Sequence, residues 1–379
     1  MDRRLKVLFI PAWYPSEDNP VNGIFVREHA KAVSLYDDVV VLYSRRASAP
    51  IKGLYELSEA VEQGIRTIRV RHRRSPIPKT TYFIYLWSVI DAFRGLVKAG
   101  FKPDVIHAHV FTAGVPAVIL GKLFHIPVVI TELATSILQH SLPWIARIML
   151  RFAMNSADIV LPDSYSLQIA LESYRVHNTM MVVPPTVDMA RFNPSNYQKI
   201  YDIKRVLTVA ILHPRKGIPT LLNAIALLRG KRKDFIVEIA GDGPNRKEYE
   251  QLAASLKLKE VVRFYGFVSE ETKVELMRKC DFFVLPSLWE TFGVVLIEAM
   301  ACGKPVIATA RGGPREIVSK EVGILAPSED PAALAEAIDY MLDHYQGYSP
   351  EQIAQYVRER YSYEAVGKQL HSVYHNIIR

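Results

Sequence analysis

The chain has 379 residues, 49% of them hydrophobic and 23% charged, which excludes a disordered polyelectrolyte and leaves material for more than one core. Its formal net charge of +8 favours anionic partners, but no zinc-ligand spacing, RNA-binding signature or basic helix accompanies it, so nucleic acid is not expected. Cys280 and Cys302, the only cysteines, exclude a disulfide framework and fit a reducing, cytoplasmic setting.

In chain order, residues 6–10 (KVLFI) predict a buried first strand. The apolar run stops at Pro11 with no small-residue cleavage site after it, so it does not read as a leader. A loop, 15–23, ends at Gly23 just before a helical pattern over 25–34, a loop-to-helix position fit for phosphate or sugar. Strands are expected at 39–43, 65–70, 105–108 and 128–131, and helices at 83–99 and 113–124. This alternation implies a parallel sheet covered on both faces. His107 and His109 are two apart on a strand and so point to one side, with His109 at the carboxyl end where ligands belong. Arg69, Arg71, His72, Arg73, Arg74 and Lys79 form the densest basic run, which fits a solvated loop or membrane contact. Residues 82–87 (YFIYLW) and 136–152 mix aromatic, aliphatic and basic side chains, with Arg147 and Arg151 on one helical face. They read as core helices or as a face resting on an anionic membrane beside a lipid-linked acceptor. No stretch reaches the roughly 18 consecutive apolar residues of a transmembrane helix.

Prolines cluster over 184–194, and the pattern then restarts. Strands are expected at 206–210, 235–240, 261–265, 282–286 and 305–309, with helices at 220–228, 245–255, 271–278 and 294–300. Residues 350–378 read as helices after the second sheet. The segment SLWETFGVVLIEAM, 287–300, follows an apolar strand and opens a helix. Gly293 sits at the turn, where backbone N–H groups and the helix dipole suit an anion. Glu298 lies in an otherwise apolar stretch, where a carboxylate is costly unless paired. It suits a ribose diol, and Glu290 suits sugar hydroxyls. HPRKG, 213–217, follows a strand and offers Arg215 and Lys216 to a diphosphate whose charge grows in the transition state.

Glu290 and Glu298 form an E-x7-E motif, and with HPRKG, AGDGP (240–244), YGFV (265–268), RGGPRE (311–316) and the loop WYPS…PVNGIFVREHA the chain resembles the retaining glycosyltransferases of family 4. The resemblance implies an α/β GT-B fold: two Rossmann-like doubly wound domains facing across an interdomain cleft. Residues 1–186 would form the acceptor domain and 187–357 the nucleotide-sugar donor domain. A C-terminal helix, 358–379, would cross back to the first domain. By the same resemblance Glu290, Lys216, Arg215 and His109 are catalytic. Glu298 would take the ribose, and Phe292, Gly293, Val294, Gly241, Gly23, Phe267, Val268, Gly312 and Gly313 would contact the donor. Ile211 stands where the family usually has an arginine, a charge Arg215 would supply, and Leu133 replaces a common histidine. No D-x-D motif is present, so neither metal nor cofactor is expected, and the donor would be UDP- or GDP-linked. The acceptor would be a glycan or lipid-linked hydroxyl in surface polysaccharide synthesis, at the inner face of the membrane. A sugar-nucleotide epimerase on a similar scaffold and a non-catalytic nucleotide-sugar-binding protein stay open. A dinucleotide oxidoreductase is disfavoured, because no G-x-G-x-x-G follows the first strand.

Overall fold

The apolar run at the start becomes β1 (Lys6–Pro11), with Val7 to Ile10 buried. In the computed structural model, which describes residues 3–75, 80–194 and 203–378, β1 is the middle strand of a seven-stranded sheet. The chain continues through α1 (Ile24–Ser34), β2 (Asp38–Arg46), β3 (Tyr55–Glu62), β4 (Ile65–His72), α2 (Thr80–Lys98), β5 (Val105–His109) and α3 (Phe111–Phe124). Then come β6 (Val128–Glu132), α4 (Thr135–Leu138), α5 (Trp144–Ser156), β7 (Ile159–Pro162) and α6 (Tyr165–Ser173). The strand order is β3-β4-β2-β1-β5-β6-β7, parallel except for β3, which runs antiparallel to β4. Helices on both faces bury the sheet, as parallel strands require.

β3 was not expected, because its YELSEAVE faces solvent and carries no apolar run. It changes the reading of the basic run. Arg69 and Arg71 lie on β4, not in a loop, and pair across the hairpin with Glu62 and Glu56 at 2.6 Å each. His72 is buried, with Nδ1 3.1 Å from Ser44 Oγ. Arg73 and Arg74 follow the strand, and Lys79 lies outside the described residues.

The second unit spans Val187–Ser362. Its elements are β8 (Lys204–Val209), α7 (Ile218–Arg229), β9 (Phe235–Ala240), α8 (Arg246–Ser255), β10 (Val262–Gly266), α9 (Glu270–Lys279) and β11 (Phe282–Leu285). After them come α10 (Val294–Ala301), β12 (Val306–Thr309), α11 (Pro314–Ile317), β13 (Gly323–Ala326), α12 (Pro331–His344) and α13 (Pro350–Tyr361). The sheet is wholly parallel, in the order β10-β9-β8-β11-β12-β13. Polar caps fix the helix starts: Ser269 accepts from Thr272 N–H, Asp330 from Ala332 and Ala333, and Ser349 from Gln352.

The helical C-terminal stretch is broken at Ser362. Beyond it α14 (Tyr363–Ile378) belongs to the first unit, Met1–Thr186 with Tyr363–Arg379. Gln369 Nε2 donates to Val182 O at 3.0 Å, and the Tyr374 hydroxyl lies 2.7 Å from His107 Nδ1.

Candidate active site

Ligands of an open parallel sheet sit beyond the strand carboxyl ends where the order reverses. In the second unit that reversal falls between β8 and β11. The loop leaving β8 ends in a short 3-10 turn, Pro214–Lys216, closed by Gly217 in the left-handed region. The loop leaving β11 ends at Gly293, also left-handed, which caps α10. Leu288 N–H donates to Arg215 O at 2.7 Å, and a Cβ on Gly217 would lie 1.9 Å from Pro286 O. The two loops are therefore in backbone contact, and only glycine fits at their seam. The contact sets Lys216 Nζ 2.5 Å from Glu290 Oε2, to which Ser287 Oγ donates at 3.2 Å. Both members of the ion pair are nearly buried, at 14% and 13% exposure.

A third loop, after β12, closes on the same place. Gly313 N–H donates to Glu290 O at 3.1 Å, and a Cβ on Gly312 would lie 2.0 Å from that oxygen. The paired glycines thus meet the β11–α10 loop itself. The Arg311 guanidinium stacks 3.5 Å over the Trp289 ring. Gly241 N–H donates to Gly266 O at 2.7 Å, and a Cβ there would lie 1.9 Å from Ala210 O, so this turn too is shaped by its neighbouring strand. Phe292 is buried and meets Tyr361 edge to face. Its side chain belongs to the core, which leaves only its backbone for a ligand. Val294 opens α10, Phe267 is 63% exposed, and Val268 packs on the core.

Glu298 lies on the buried side of α10 and finds a cation that sequence reading missed. Lys273 Nζ on α9 donates to Glu298 Oε1 at 2.9 Å, reaches Glu270 at 2.9 Å and packs 5.1 Å from the Phe192 ring centre. Burial acts to lower the Lys273 pKa, but Glu298 and Glu270 outweigh it and raise it. In sequence Lys273 looks like any lysine on a polar helix. The one signal was the carboxylate in an apolar stretch, which demands a partner. Arg215 is half-buried, and among the described residues no ion pair engages its guanidinium. Ile211 is 56% exposed at the start of the same loop.

In the first unit the order reverses between β1 and β5. Gly23 caps α1 in the left-handed region, and its missing Cβ would lie 2.4 Å from Trp13 O. His109 does stand at the end of β5, but it is wholly buried. Its ring stacks 4.3 Å from His107 and lies 5.8 Å from His29, and neither ring nitrogen has a hydrogen-bond partner. Burial, and then the neighbouring imidazoles, hold His109 well below its ordinary pKa. In this structure His109 is therefore sealed from solvent and neutral. Val110, next in the chain, adopts φ +73°, a strained setting for a β-branched residue. The buried Glu132 accepts N–H groups from Phe111, Leu133 and Ala134, each at 2.9 Å, and so ties the loops after β5 and β6 together. Burial raises its pKa to about 6, against the lowering effect of those three donors. Leu133 packs against the core beside it.

Residues 192–360 match the family described as Glycosyl transferases group 1, and residues 27–186 match the Glycosyl transferase 4-like domain. The chain is a family 4-type glycosyltransferase. The transferase is 28% identical to D-inositol 3-phosphate glycosyltransferase of Corynebacterium urealyticum, over 94% of this chain and 90% of that protein. Its fold is GT-B. It superimposes on sucrose-phosphate synthase from Thermosynechococcus elongatus with a TM-score of 0.80, 24% identity and 99% of each chain covered. HepE of Anabaena, solved in complex with UDP and glucose, matches the transferase with a TM-score of 0.76 and 22% identity, over 98% of this chain and all of that one.

Proposed function

We propose that the transferase moves a hexosyl group, with retention of anomeric configuration and without a catalytic metal, from a nucleoside-diphosphate sugar to a hydroxyl of a glycan or lipid-linked acceptor. The observation that carries this reading is the Lys216–Glu290 pair at the reversal point of the second sheet, beside the left-handed Gly293 that opens α10. Glycosyl transfer expels a diphosphate, so negative charge grows where Lys216 and Arg215 sit, and fixed cations there stabilise the transition state. Diphosphate binding draws Lys216 away from Glu290, which then accepts from donor-sugar hydroxyls. Glu298, oriented by Lys273, accepts from the ribose diol. The acceptor hydroxyl approaches on the face the diphosphate leaves, and the leaving phosphate takes its proton, so no enzyme nucleophile is used. The UDP complex of HepE favours a uridine donor.

The acceptor side belongs to the first unit. α5 turns Trp144, Ile145, Ile148 and Phe152 to solvent, and α2 exposes Phe83 and Trp87. This apolar face suits a membrane interface and a lipid-linked acceptor. Arg147 and Arg151 keep their charge but are tied down, because each donates Nε–H to a backbone oxygen, of Leu142 and Tyr174. Among the described residues no helix is long and apolar enough to cross a membrane. Such a role fits a cytoplasmic enzyme of surface polysaccharide synthesis working at the inner membrane face.

The test is a thermal-shift panel of UDP-, GDP-, ADP- and dTDP-sugars, followed by NMR of the transferred sugar's anomeric proton. A stabilising shift with one nucleotide family and an anomer matching the donor support the reading. No shift with any donor, or an inverted anomer, overturns it.

A further inference from the structure

A cluster of metal-ligating side chains in the first unit has no part in the chemistry above. His371 and His375 are four residues apart on α14, so both imidazoles leave one helical face. Their rings meet edge to face with centroids 4.4 Å apart. Against them lies Asp37, in the turn between α1 and β2 and wholly buried. Asp37 Oδ1 accepts the Leu5 N–H at 2.9 Å, and its two oxygens lie 3.0 and 2.9 Å from His371 Nδ1. His375 Nε2 is buried and has no hydrogen-bond partner. One ligand atom of each residue lies within 4.8 Å of the other two.

An ion pair between Asp37 and His371 accounts for two of these groups and leaves the His375 nitrogen desolvated for no return. A divalent ion accounts for all three. We propose that Asp37, His371 and His375 form a site for a transition-metal ion of the zinc type, which clips α14 to the α1–β2 turn. Two imidazole nitrogens with one carboxylate oxygen favour zinc, cobalt or nickel over magnesium or calcium, which prefer oxygen donors. Tetrahedral zinc, with bonds of about 2.0–2.2 Å, sets its ligand atoms roughly 3.3–3.6 Å apart. Asp37 and His371 are already close to that spacing, and a side-chain rotation of His375 brings in the third ligand. Both histidines are partly exposed, which gives the ion an entry path and water as a fourth ligand. Tyr374, on the same turn of helix, reaches His107 in the sheet, so the clip would hold the point where α14 engages the core. The ion is structural here, since the Lys216–Glu290 pair lies in the other unit.

The test strips the full chain with chelator and titrates it with zinc and, separately, cobalt. The expected result is about one equivalent of zinc per chain, a raised melting temperature, and the visible absorption of tetrahedral cobalt. His375→Ala, on a helix that alanine suits, keeps the far-ultraviolet circular dichroism of the wild type and binds roughly tenfold more weakly or worse. His371→Ala does the same. Wild-type protein that takes up no zinc at micromolar concentration overturns the site. So does wild-type affinity in both histidine variants, which would assign the ion to other histidines.

Discussion

Lys216 and Glu290, 74 residues apart in the chain, meet at 2.5 Å where the strand order of the second sheet reverses. The pairing follows from two loops leaving the carboxyl ends of the adjacent strands β8 and β11 and meeting through the Leu288–Arg215 backbone bond. Replacing Lys216 by methionine removes the cation that meets the diphosphate. Transfer rates should fall about 10²–10³-fold, the scale set by losing one preorganised electrostatic group. Glu290→Gln should lower kcat and also lower the melting temperature, since it leaves the nearly buried Lys216 without its counter-charge. Initial rates across donor concentrations check both, and wild-type kcat in either variant would contradict the roles assigned.

The Glu298–Lys273 pair makes a different prediction. Side-chain exposure is 9% and 12%, and removing Glu298 leaves Lys273 with Glu270 alone as its counter-charge. Glu298→Ala should cost about 1–3 kcal/mol of stability, because Glu270 still pairs with Lys273, as well as donor affinity. The double change Glu298→Leu with Lys273→Met should recover most of the stability and none of the donor binding. Urea titrations set beside donor KM separate the two effects.

Glycine positions can be graded by what a Cβ would meet. Gly312 has φ +73°, and its Cβ would fall 2.0 Å from Glu290 O. Gly312→Ala should therefore displace the loop that carries Glu290, cost about 1–3 kcal/mol and reduce transfer. Gly230, at the end of α7, has φ −67° and nothing within 4 Å of the added carbon. Gly230→Ala should be neutral or stabilising by up to about 1 kcal/mol, with kinetics unchanged. Melting temperatures and rates of the pair check this.

Legibility tracked continuity of apolar sequence. β1 and β11 are near-continuous apolar runs, β5 and β6 are mostly apolar despite His107, His109, Thr131 and Glu132, and each was readable as a strand. β7 (IVLP) and β13 (GILA) lie outside the strands expected from the sequence, and β3 is a polar edge strand. In the candidate site the E-x7-E spacing was visible, because it lies within one segment. Lys273 and the cross-loop glycine contacts were not, since each depends on which elements the sheet order brings together. The sealed position of His109 was equally out of reach, because strand spacing gives the side of the sheet but not what covers it.

The buried histidines give the first unit a pH dependence of defined sign. Burial lowers His29 from an ordinary 6.5 to about 4, opposed only by its bond to Pro184 O, and holds His107 and His109 well below 6.5. For a base with a lowered folded-state pKa, stability is whole above the unfolded value and is lost as pH falls toward the folded one. His29 alone is worth about 3 kcal/mol across the window from 6.5 down to 4. Glu132 acts in the opposite sense: its pKa is raised from 4.5 to about 6, so its contribution falls as pH rises through that range. His72 is likewise lowered to about 4, by burial and then by Arg46, so four histidines against one carboxylate leave a net loss on acidification. Urea midpoints should therefore fall steeply between pH 6.5 and 4.5, and His29→Asn should flatten the slope. A flat profile in the wild type would mean that the imidazoles are already accessible to protons in the folded state.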